Sequence, residues 1–326
     1  MITAAFLVIA AGLILYAILA GADAGTGFWL LAARHSRRPE KLERVLLAHF
    51  SPVWEANGLF LIFALTGMFT VFPQALGRLG EALIPIGLPV LALIVVRGGS
   101  YTLAHHRSPR LRRAALTVFA ISGTGIGLLT GYAALALLGG AIHADGFDPG
   151  YLTSWSSLAS IAFAGTGMAY AGATASAART PKTGYEGAWF RRAAVGSGIC
   201  FIASALLEWF AVTAANPSFH HHATGIRGIM LLAGLVIVAG ALLVQGTGRT
   251  ALGACVAGAG CLLLGFGAAL SAMPYIAYPG VTLPPSDTGV PLGAYLGATA
   301  IGGPLLIVAL SLLYAGVLGD GQAEPR

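Results

Sequence analysis

Charge is what this chain has least of. Asp, Glu, Lys and Arg together make up 9% of its 326 residues, against about 25% in a soluble domain. That deficit excludes an ordinary water-soluble globule. With 57% hydrophobic residues and a mean hydropathy of +0.81, the chain reads as an integral membrane protein. Cysteine is nearly missing too. Cys200, Cys255 and Cys261 all fall inside apolar runs, which leaves no disulfide framework and no metal-ligand spacing, so they read as small apolar fillers. Also missing are a phosphate-binding Walker loop, a nucleotide-binding glycine fingerprint and a metalloprotease helix motif. The serines and histidines form no nucleophile constellation.

What is abundant is apolar sequence cut into lengths. About 20 apolar residues cross a bilayer as a helix. On that rule nine spans are expected, roughly Thr3–Ala33, Val53–Phe72, Leu83–Leu103, Ala115–Leu138, Trp155–Ala178, Ala193–Ala214, Ile226–Val244, Ala251–Ala272 and Gly293–Leu318. The start lacks a positive n-region and its apolar run is longer than that of a signal peptide, so it reads as an uncleaved first span. The 46 glycines lie within these runs. Gly21/Gly25 and Gly123/Gly127/Gly131 have the spacing that lets helix backbones approach in lipid. No loop is long enough for a soluble domain, so residues 1–326 read as one membrane domain. The proline-rich Met273–Pro291 is expected as an ordered cap or a surface loop.

The basic residues give the orientation. Arg34, Arg37, Arg38, Lys41 and Arg44 follow span one; Arg107, Arg110, Arg112 and Arg113 follow span three. Arg179, Lys182, Arg191 and Arg192 follow span five, Arg249 follows span seven, and Arg326 ends the chain. That puts fifteen of eighteen Lys and Arg on one side, with Arg78 and Arg227 opposite and Arg97 inside a span. The crowded side is expected to be cytoplasmic, the N-terminus external and the C-terminus internal. The same clustering accounts for the sequence pI near 9.5 without nucleic acid as a partner. Trp29, Trp54 and Trp189 near internal span ends, and Trp155 and Trp209 near external ones, suit interfacial belts.

Three ionisable residues interrupt the apolar runs toward the cytoplasmic side: Asp23 in span one, Glu55 opening span two and Arg97 in the last third of span three. A charged side chain near the bilayer centre costs about 2.5–3.5 kcal/mol on insertion scales, so such residues are expected to be paired or functional. Two readings stand for Asp23 and Arg97. One is a buried ion pair that fixes helix register; the other is a hydrophilic inlet through which carboxylates pass protons. Glu55 is either an interfacial or capping residue or an acid placed to exchange protons. Glu208 and Arg227, on the outer side, read as a structural ion pair, with an outer ion path or a quinone contact as the alternative.

The eight histidines decide a separate question. His35, His49, His105 and His106 are placed at internal loops or span ends, and His143 and His220–His222 outside; none falls in mid-span. A haem between membrane helices needs axial ligands such as His, Met or Cys thiolate, and Met68, Met168 and Met230 do not by themselves argue for one. The chain is expected to hold no haem. The triple histidine offers adjacent side chains that point in different directions, a poor start for a metal site.

At these residues the chain resembles subunit II of the cytochrome bd-type quinol oxidases. The likeness begins with Gly21-Ala22-Asp23-Ala24-Gly25-Thr26-Gly27 and continues through Pro52-Val53-Trp54-Glu55-Ala56-Asn57. It extends to Arg97 in span three, and to Pro274-Tyr275 followed by Pro284-Pro285-Ser286 before the last helix. It covers the whole chain. Two departures stand out: family members commonly have aspartate at Glu55, and many carry a second acid shortly after the arginine, where this chain has Gly98-Gly99-Ser100-Tyr101-Thr102. Thr102 with water is one way to bridge that gap; a different path is another.

The resemblance implies an all-α membrane fold of two four-helix bundles plus a peripheral helix, set in a plasma membrane. It implies a heterodimer whose other member, subunit I, carries haems of b and d type and the quinol-oxidising site, and reduces oxygen to water with cytoplasmic protons. This chain would support that partner, sit among membrane lipid, contribute a proton route through Asp23, Glu55 and Arg97, and is allowed a structural quinone. A secondary transporter with an intramembrane charged site is the rival reading, since transporters also use buried charges and glycine-rich helices. A purely structural scaffold is the other. A coloured haem partner on purification separates the oxidase subunit from the transporter.

Overall fold

The structure, a computed structural model, describes residues 1–48, 50–104, 108–143, 146–223, 225–283 and 292–320, without the side chains of 50–56, 307 and 309–320. In chain order come α1 (Ile2–Ala33), α2 (Pro39–Ala48), α3 (Phe50–Val71), α4 (Pro73–Ala82), α5 (Ile84–Ala104) and α6 (Pro109–Leu138). A small hairpin of β1 (Ile142–His143) and β2 (Gly146–Phe147) and a 3-10 turn (Pro149–Thr153) follow. Then come α7 (Trp155–Arg179), α8 (Tyr185–Ala215), α9 (Pro217–Ala223), α10 (Ile226–Gly246) and α11 (Thr250–Ala272). A second hairpin, β3 (Tyr275–Ala277) and β4 (Val281–Thr282), precedes α12 (Leu292–Asp320).

Two sets of four helices pack side by side. In the first, α1 lies against α3 and α6, and α5 lies against α6; in the second, α7 packs on α8 and α11, and α10 on α8 and α11. The seam between them is α1 and α6 on α7, with α1 also touching α11. α12 rests on the outside of α3 and α1. This is the expected architecture of two bundles and a peripheral helix.

The number of spans is another matter. By length and composition six described helices, α1, α5, α6, α8, α10 and α11, can cross a membrane, or seven with the bent pair of α3 and α4. The count of nine is not reached on this measure. α7 is long enough at 25 residues but too polar, because its buried positions include Ser156, Ser157, Ser160, Thr174 and Ser176. The described apolar part of α12, Leu292–Leu306, is short.

Other departures have local causes. Pro73 cannot donate the backbone bond that would continue α3, and the chain turns there by 119° into α4. The basic stretch after α1, read as a loop, contains α2, whose Leu42 and Leu46 stand one helical turn apart and are both fully buried. α6 and α8 begin before their apolar stretches, so Arg110, Arg112, Arg113, Arg191 and Arg192 sit on helix ends rather than in loops. The connection after α11 is an ordered cap over residues 273–283: Tyr278 N donates to Leu137 O at 2.9 Å and Gly280 N to Ile142 O at 3.0 Å. Residues 284–291 lie outside the described residues.

Small residues bring α1 into its neighbours, as their spacing led us to expect. Side chains are absent where Gly25 of α1 meets Gly172 of α7, and an added Cβ at Gly172 would come within 2.6 Å of Gly25 backbone. On the facing helix, Gly131 of α6 admits Ala164 of α7, where an added Cβ would come within 2.7 Å of the Ala164 methyl, and Gly127 admits Ala24 and Met168. Gly27 approaches the Ala120 carbonyl, 2.7 Å from an added Cβ. Trp29 Nε1 donates to Ala169 O at 2.7 Å and pins this crossing. Gly21 makes only ordinary contact, at 3.6 Å from Ala171.

Candidate functional site

Where glycine lets α1 sink between α6 and α7, it carries Asp23 inside. Asp23 lies ten residues before the end of α1 and Arg97 seven before the end of α5. At 1.5 Å per residue these are about 15 Å and about 10 Å along the helix axes, so the two share a depth. The structure brings them together. Arg97 Nη1 donates to Asp23 Oδ2 at 2.9 Å and Nη2 to Oδ1 at 2.6 Å, with side-chain exposures of 10% and 6%. The guanidinium fork matches a carboxylate, and such paired, charge-assisted bonds are the strong ones.

α6 builds the rest of the pocket with two residues one turn apart. The ring of Phe119, fully buried, lies beneath the guanidinium with 4.8 Å from Arg97 Cζ to the ring centroid, a favourable cation–π geometry. Gly123 leaves the space the guanidinium fills: an added Cβ there would stand 3.0 Å from Arg97 Cζ. Ser100 Oγ donates to Arg97 O at 2.9 Å, and Tyr101 packs on Phe119 with ring centroids 5.7 Å apart. Sequence reasoning missed Phe119 and Ser100; the glycine spacing marked Gly123 as a close approach without saying to what.

Glu55 belongs to α3, but its side chain lies outside the described residues. Thr102, one candidate for bridging the gap left by a missing acid, is exposed and donates to its own helix at Gly98 O, 3.2 Å away. Its hydroxyl proton is thus used within α5.

The outer pair is corrected. Among the described residues Glu208 and Arg227 do not bond. Arg227 Nη1 donates to Leu270 O at 2.6 Å, because the last carbonyls of α11 have no intrahelical partner and the negative end of that helix attracts a cation. Glu208, 5% exposed, accepts instead from Ser160 Oγ, at 2.9 Å to Oε1 and 3.2 Å to Oε2. His220 and His221 are exposed on α9 and His222 is half-buried. Among the described residues no three His, Cys, Asp or Glu gather to hold a metal ion.

A helical membrane protein of two bundles, with an arginine–aspartate pair enclosed where three helices meet, is the class that fold and site define. The chain belongs to the family of cytochrome bd terminal oxidase subunit II, whose model matches residues 1–316. It is 30% identical over 112 residues to the putative cytochrome bd menaquinol oxidase subunit II of Bacillus subtilis (strain 168). That stretch covers 33% of this chain and 31% of the relative, so it spans about a third of each. The fold is similar to that of the bd oxidase from Geobacillus thermodenitrificans, with a TM-score of 0.79, 21% identity, and 96% of this chain and 97% of that one covered. The family is part of a quinol oxidase complex of a respiratory membrane.

Proposed function

We propose that this chain is the haem-free subunit of a cytochrome bd-type quinol:oxygen oxidoreductase in the plasma membrane, and that it supplies a cytoplasmic proton route to a haem-bearing subunit I. The observation that carries the reading is the enclosed Asp23–Arg97 pair, in the half of the bundle nearer the arginine-rich ends. In this reading Glu55 collects protons at the boundary, Asp23 relays them through water, and Arg97 holds the Asp23 carboxylate aligned. Oxygen reduction is the chemistry of haems in the partner; this chain's residues only bind, orient and pass protons.

Two further features support that division of labour. The described histidines are His35 after α1, His143 in β1 and His220–His222 in α9, so none of them lies within a long helix where a haem would need ligands. Along α5 the side chains of Leu88, Leu91, Ile94 and Val95 are exposed, which suits a partner subunit or membrane lipid. A structural quinone is compatible with the same apolar surface.

Co-purification tests the reading. The chain, tagged and extracted gently from its membrane, should bring a second, haem-bearing subunit with it, and the pair should oxidise quinol with oxygen. A colourless chain purified alone and active in substrate transport would favour the transporter instead. Haem quantified on the separated, folded chain should be substoichiometric; one tightly held haem per chain would overturn the assignment of redox centres to the partner.

A further inference from the structure

Glu208 takes no part in the reading above, yet it is a titratable group enclosed between α7 and α8. Ser160, with no exposed surface, gives its one hydroxyl to the two carboxylate oxygens. Behind Ser160 stands Tyr151, whose Oη is 3.3 Å from Ser160 Oγ and which belongs to the 3-10 turn before α7. Ser157 Oγ donates to Tyr132 Oη at 3.2 Å, and the Tyr132 and Tyr151 rings lie 6.1 Å apart. Carboxyl, hydroxyl and phenol thus form a line from the interior of the second bundle to the connection on the face opposite the arginine-rich ends. α9 continues that face beside α8.

The composition of the line narrows what it binds. Among the described residues no cluster of three His, Cys, Asp or Glu joins this carboxyl to make a metal site, and its neighbours are hydroxyls, which both donate and accept. Ser160 of α7 reaches Glu208 directly and Tyr151 of the 3-10 turn reaches it through Ser160. Ser157 of α7 and Tyr132 of α6 bond beside them, and the helices packed on α8 also carry Arg227 at the start of α10 and His220–His222 in α9. Arg227 is engaged by the Leu270 carbonyl. If Glu208 served only to tie α7 to α8, a neutral amide of the same size would do. A carboxyl adds the ability to take up and shed a proton in place.

We propose that Glu208 is a proton-exchange site in its own right, served from the arginine-poor face through Tyr151 and Ser160 and separate from the Asp23–Arg97 pair. Uptake is a concerted shift. The Ser160 hydroxyl proton moves to a Glu208 carboxylate oxygen, the Tyr151 phenol proton replaces it on Ser160 Oγ, and a hydronium ion from that face restores the phenol and leaves as water. One proton enters, and the carboxylate becomes a carboxylic acid. Release is the same sequence reversed.

Infrared difference spectroscopy on the intact, membrane-extracted assembly tests this. Subtracting the spectrum of Glu208→Gln from that of the native protein isolates the Glu208 carboxyl from every other acid. The expected result is a carboxylic C=O band that changes with buffer pH and shifts when H2O is replaced by D2O. Ser160→Ala and Tyr151→Phe should keep the band and slow its exchange severalfold, whereas a merely structural tie would leave exchange rates alone. Should Glu208→Gln fail to fold, Glu208→Asp supplies the comparison by moving the band. A Glu208 carboxyl that never responds to pH or D2O, or one that exchanges equally fast in both hydroxyl variants, would overturn the proposal.

Discussion

Gly123 and Arg97 fit one another: the guanidinium occupies the space a side chain at position 123 would take, with only 3.0 Å between an added Cβ and Arg97 Cζ. The absence of a side chain on α6 is therefore part of the acid–base site, and it has a consequence that can be measured.

Gly123→Val should displace the guanidinium from Asp23 and behave like loss of the pair. We expect the folded chain to fall in yield and to lose stability by about 3–5 kcal/mol, the range for breaking a buried pair. Gly258→Ala on α11, where an added Cβ meets nothing within 4 Å, should change little. Thermal unfolding of the two variants makes the comparison. Equal stability of Gly123→Val and native protein would mean that the guanidinium has room elsewhere.

The pair itself is open to a mutant cycle. Arg97→Leu should harm assembly more than Arg97→Lys, because leucine leaves the Asp23 charge enclosed without a partner while lysine keeps one cation, though not the two-pronged geometry. Asp23→Asn combined with Arg97→Gln should recover stability relative to the worse single change. Strictly additive losses would contradict the coupling implied by two bonds of 2.9 and 2.6 Å.

The helix α2 region supplies the test of orientation. Glu40 is exposed in the stretch holding Arg34, Arg37, Arg38, Lys41 and Arg44, which the positive-inside rule assigns to the cytoplasm. Glu40→Cys keeps those charges and should resist a membrane-impermeant thiol reagent added to intact cells, then react once the cells are opened. Ready labelling from outside would invert the topology and with it the direction of the proposed proton route.

How legible this was depended on which force set each feature. The depths of Asp23 and Arg97 follow from counting residues along apolar runs, so the sequence placed them at one level. That they touch depends on glycine-mediated crossings of α1 with α6 and α7, which spacing suggests but cannot aim. Glu208 and Arg227 share a side and opposite charges, yet a local preference won: the nearest unmet acceptors of Arg227 were the last carbonyls of α11. α2 escaped notice because a ten-residue helix with two buried leucines does not register in a count of membrane spans. α7 looked like any other span, but its serines already announced a helix buried among helices.

Glu55 is the residue we would change first. It stands at the start of α3, after the basic stretch and α2, which in the proposed orientation is where a carboxyl can meet cytoplasmic water. Glu55→Gln keeps size and most hydrogen bonding but removes titration, so the assembly should form with its haem content intact. Oxygen consumption driven by quinol should then fall severalfold or more, because general acid–base groups contribute factors of about 10²–10⁴ where they carry the proton. Glu55→Asp should retain much of the rate, since the acid survives. A capping or interfacial role predicts the opposite pattern, with glutamine tolerated and the shorter aspartate costing stability. Normal turnover in a fully assembled Glu55→Gln complex would therefore remove this residue from the route and leave Asp23 to be supplied from another direction.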